Sequence, residues 1–73
     1  MTVTTKEIEA AFTYHAPTQH QAMAYEDLRA NAGALAARMA EMCLDSRELS
    51  LAQTKLREAI MWANAAIAIH GLK

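Results

Sequence analysis

The stretch Phe12-Thr13-Tyr14-His15-Ala16-Pro17 is the part of this chain that folding alone explains least. It sets two aromatic rings and an imidazole on a non-helical segment, because Pro17 pushes Ala16 away from helical angles toward an extended conformation. Rings held this way can stack on nucleobases, as aromatics do in single-strand readers. Tyr14, with His15 beside it, then supplies a stacking face, and Arg29 on the following helix supplies a planar donor fork for a phosphate. The same residues also suit a purely structural role in which Tyr14 pins the linker to a neighbouring subunit.

Other chemistry finds little support. His15 and His20 are five apart across a proline break, and neither pairs with His70 or Cys43 at a spacing that suits a metal, so no metal and no cofactor are expected. Catalysis needs a nucleophile beside a base, or paired carboxylates in a cleft. The acids here fall on helix faces near basic partners, as Glu26 does with Arg29 and Glu58 with Lys55, which reads as solvated surface pairing. The chain is therefore expected not to be an enzyme. Cys43 sits near the negative end of a helix, where a thiolate is disfavoured, and reads as a packing residue. The methionines read as core filler. Trp62, one step off the second helix's apolar stripe, suits a contact between subunits.

The elements that position these residues are helices. Thr4 with Glu7 has the spacing of a capping box, which starts a short helix at 4–11. An extended linker covers 12–18. Thr18 with Gln21 repeats the pattern and opens a long helix at 19–43, free of proline and rich in strong helix formers. Asp45 and Ser46 are both good caps for a second long helix at 47–70, which Gly71 stops. The short turn at 44–46 makes the two long helices antiparallel. The fold class is all-α, one domain over 1–73. Apolar stripes at three- and four-residue steps mark the seam: Tyr25, Leu28, Ala32, Leu35, Met39 and Met42 against Leu49, Leu56, Ile60, Ala63 and Ile67. Gly33 lies inside a helix at a cost of about 1 kcal/mol relative to alanine, which suggests close approach of a backbone or ligand.

Size sets the next constraint. A 73-residue chain buries only about 60% of the surface of its unfolded form. With Cys43 alone no internal disulfide can supplement the core, so the hairpin is expected to assemble into a homo-oligomer. A net charge of −1 and scattered basic residues argue against duplex DNA or RNA as a partner. No apolar run approaches the roughly 20 residues that span a bilayer, so no membrane partner is expected. The lone thiol and the absence of a secretion-signal pattern point to the cytoplasm.

Three stretches carry a resemblance: Phe12-Thr-Tyr-His-Ala-Pro-Thr18, Asp45-Ser-Arg-Glu-Leu-Ser-Leu-Ala-Gln-Thr-Lys-Leu56 and Met61-Trp-Ala-Asn-Ala-Ala-Ile-Ala68. They resemble the phage anti-CBASS cyclic-oligonucleotide sponge family of the second type, which shares its helical hairpin with the phage anti-Thoeris sponge. The resemblance implies a homohexamer of hairpins, in the host cytoplasm during phage infection, that sequesters cyclic dinucleotides, and in many members cyclic trinucleotides, without cleaving them. It also implies that Tyr14 stacks on the bases and that Arg29 meets the phosphates. Relatives often carry an arginine near the end of the second long helix for the trinucleotide, where this chain has Ile69 followed by His70. A trinucleotide pocket here would fall to Asn31 and His70. The alternative reading is a structural helical oligomer or protein-interaction adaptor with no nucleotide ligand.

Overall fold

The computed structural model describes residues 3–13 and 16–73, which are all-helical with no strand among them. Helix α1 spans Thr5–Phe12, α2 spans Gln19–Met42 and α3 spans Arg47–His70. Each long helix is therefore about 36 Å from end to end.

Local caps account for the boundaries. Thr4 accepts from the Glu7 N–H while the Glu7 carboxylate accepts from the Thr4 N–H, so Thr4 is the cap and the helix proper begins at Thr5. Phe12, expected in the linker, stays helical because the chain turns extended only at Thr13, whose hydroxyl and N–H both return to the Glu9 carbonyl. Thr18 and Gln21 form the same reciprocal box at the start of α2. That helix ends at Met42, with Cys43 as its extended C-cap and exposed, where the sequence reading had it helical and packed. Ser46 caps α3 by accepting from the Leu49 N–H at 3.1 Å. Gly71 closes α3 with φ 89°, a backbone angle that glycine adopts without a side-chain clash, and its N–H donates to Ile67.

α2 and α3 pack as a hairpin, and two glutamines tie its faces together. The Gln21 side chain donates to the Ile67 carbonyl and the Gln53 side chain to the Ala36 carbonyl, each at 3.4 Å. The seam they bracket differs from the apolar stripe read along α2. Ala36 is half-buried where Leu35 was expected, and Leu35 is 48% exposed. Met42 is 75% exposed, because it lies at the very end of α2 where little of α3 remains opposite it. Along α3 the expected Leu49, Leu56, Ile60, Ala63 and Ile67 all face inward, but only Leu49 is buried and the others are half-buried.

Gln21 thus serves two helix ends at once, starting α2 and holding the last turn of α3 at the open end of the hairpin. Gln21→Ala is expected to lose about 1–2 kcal/mol of unfolding free energy, one cap plus one hydrogen bond. Urea unfolding followed by circular dichroism checks this.

The hairpin leaves a great deal of surface uncovered. The accessible area of the chain is 6347 Å², whereas a compact chain of this mass exposes roughly 4,400 Å². The difference, about 1,900 Å², is more than twice the roughly 800 Å² that one partner contributes to a standard protein–protein interface. Trp62 is 65% exposed, as is much of Phe12, Leu44 and Met61.

Candidate ligand-binding site

Arg29 occupies the middle of the open face. It lies on α2 between two recesses of about 540 Å³ each, and Arg29 and Ile60 line both. The first recess has a floor of small α2 residues, Gly33, Ala36 and Ala37 among them, and a far wall of Leu56 and Arg57 from α3. Tyr25, Asn64, Ala65 and Ala68 complete the second. The glutamine bridges explain this placement: counting inward from the Gln21–Ile67 bridge sets Arg29 level with Ala59 and Ile60, so antiparallel pairing brings α3 alongside it.

Arg29 has no ion pair among the described residues. The expected pairing with Glu26 does not form: Lys55–Glu58, at 3.3 Å, is the only salt bridge among the described residues. The i, i+3 spacing permits a pair without enforcing one, and an exposed pair gains little in water.

Tyr14 and His15, the residues expected to stack on a base, lie outside the described residues. The chain on either side of them is extended, at Thr13 and at Thr18. Asn31 and His70, the trinucleotide candidates, do not meet within one copy. Asn31 is level with Arg57 and its amide donates to the Asp27 carbonyl and carboxylate within α2. His70 is level with Thr18 at the linker end, thirteen residues and so about 20 Å farther along α3. A pocket using both would need two copies.

Asn64 and Arg57 were not singled out in the sequence. The Asn64 Oδ1 is buried without a hydrogen-bond donor among the described residues, an arrangement that typically costs about 1–3 kcal/mol. Its signal was available, since asparagine is a weak helix former and here interrupts a run of alanines. Arg57 had no comparable signal, because its place beside the recess depends on how the two helices are aligned. Among the described residues no three His, Cys, Asp or Glu side chains gather as a metal site. No helix among the described residues is long and apolar enough to cross a membrane.

The model of the Acb2/Tad1 hairpin domain matches residues 4–68, from the Thr4 cap through the last turns of α3. The chain belongs to the Acb2/Tad1 hairpin family. That family is known for acting as a sponge for cyclic nucleotides. The match spans all three helices and the linker, so the hairpin, the segment that holds Tyr14 and His15, and Arg29 all fall within the shared domain. No curated protein and no solved structure matches the chain.

Proposed function

We propose that this Acb2/Tad1 hairpin binds cyclic dinucleotides and sequesters them intact, so that a phage carrying it blunts CBASS-type immunity in the host cytoplasm. The observation that carries the reading is the family match across residues 4–68. Its chemistry is consistent with the chain: Tyr14 stacks on a base, His15 lies beside it, and the unpaired Arg29 offers its fork to a phosphate.

Assembly belongs to the same proposal. The surplus surface gives copies a reason to associate, and the expected product is a homohexamer whose joints hold the ligand. Cyclic trinucleotides are a further ligand class, bound where Asn31 of one copy and His70 of another come together. Nothing in this scheme turns over, and the ligand leaves as it entered.

Calorimetry with a panel of cyclic di- and trinucleotides, with solution mass measured before and after, tests the reading. Saturable binding to an oligomer is the expected result. An oligomer that takes up no member of the panel refutes it and leaves a structural assembly or protein adaptor in its place.

A further inference from the structure

Arg29 and Arg57 reach the same recess from opposite helices, and no carboxylate lines it. Neither guanidinium has an ion-pair partner among the described residues. By the alignment set by the Gln21–Ile67 bridge, Arg57 is level with Asn31, so the two arginines lie within one helical turn of each other along the hairpin. Both guanidinium groups are exposed, so water screens their repulsion in the open hairpin, and an anion between them would offset it once the hollow is covered.

Gly33 lies in the floor of that hollow. A Cβ built there would meet nothing within 4 Å, so the packing of the hairpin does not call for glycine. Glycine nevertheless makes the helix less stable than alanine would. What its missing side chain leaves is free depth between two cations.

We propose that Arg57 is a second phosphate-binding residue and that this recess takes the sugar-phosphate ring of a cyclic dinucleotide. Arg29 holds one phosphodiester and Arg57 the other, while Gly33 lets the ring lie close to α2. A dianion matches two guanidinium forks in charge and in the planar geometry of its oxygens. The assignment rests on the sponge reading above and adds to it a residue and a floor.

The test compares Kd values for the tightest-binding cyclic dinucleotide of the panel across the full chain and three variants, with solution mass measured for each. Arg57→Gln and Gly33→Leu are each expected to weaken binding roughly ten- to hundredfold, the size of one lost charge-assisted contact. Both should leave the mass unchanged. Arg38→Gln, on α2 but outside both recesses, should stay within about twofold, since a distant exposed charge is screened. If the unaltered chain binds and both recess variants bind like it, Arg57 has no such role, although the sponge reading stands. If Arg57→Gln changes the mass instead, the recess is a contact between copies and the assignment is overturned. If the unaltered chain binds nothing, the sponge reading itself fails and takes the assignment with it.

Discussion

Tyr14→Ala is expected to weaken cyclic-dinucleotide binding by about 1–3 kcal/mol, the usual worth of one base stacked on an aromatic ring. That is roughly a five- to 150-fold rise in Kd. A sponge is unusually sensitive to such a change, because it depletes a signal only when its sites are in excess and its Kd lies below the signalling concentration. Tyr14→Phe should retain most of the affinity, since stacking uses the ring face and the hydroxyl is not part of it. If Tyr14 instead pinned the linker to a neighbouring subunit, the alanine variant would shift the solution mass and leave the affinity per assembled site unchanged. Calorimetry and mass, measured on the same samples, separate the two roles.

Leu49→Ala is expected to have the largest effect on stability. Leu49 is the most deeply buried hydrophobic side chain among the described residues, at 8% exposure, and its N–H is held by the Ser46 cap at the start of α3. Removing it should cost about 2–3 kcal/mol, toward the low end for buried leucines because a site near the hairpin turn can partly collapse. Leu44, at 89% exposure, is the matched control. Leu44→Ala should stay within about 0.5 kcal/mol in the isolated hairpin. A cost at Leu44 that grows with protein concentration would show that copies bury it on assembly. Urea unfolding at two concentrations reads both effects.

How much of this was legible in the sequence follows from how far each feature reaches along the chain. Thr4 with Glu7, Thr18 with Gln21, Ser46 and Gly71 act within a few residues, and each stands at a helix end in the structure. The exchange of Leu35 for Ala36 on the seam has another cause. Three- and four-residue steps leave two neighbours almost equally inward, and the partner helix decides between them. Gln21 and Gln53 as bridges, Asn64 as an unpartnered acceptor and Arg57 at the recess all depend on the α2–α3 alignment, which no local pattern encodes. For the site, the sequence singled out Tyr14 and His15 by residue type and linker position. It singled out Arg29 by its place on the following helix, and the hairpin adds what no local pattern shows: Arg29 lines two recesses and has no ion pair among the described residues.

This also changes the meaning of the surplus apolar surface. On its own, a chain exposing about 1,900 Å² of total surface beyond the compact expectation, with Phe12, Leu44, Met61 and Trp62 on it, calls only for association. Under the proposed sponge function, association would close the two recesses beside Arg29, which has no ion pair among the described residues, around a ligand.

The central claim is sequestration without turnover, and the fate of the ligand tests it most directly. Pure protein in molar excess is incubated with a cyclic dinucleotide, the free ligand is measured across a dialysis membrane, and the protein is then denatured to release what it holds. The account predicts that free ligand falls to a small residue and that denaturation returns the full amount as the intact cyclic compound. Recovery of linear dinucleotide or mononucleotide would contradict it, and so would a free concentration that never falls.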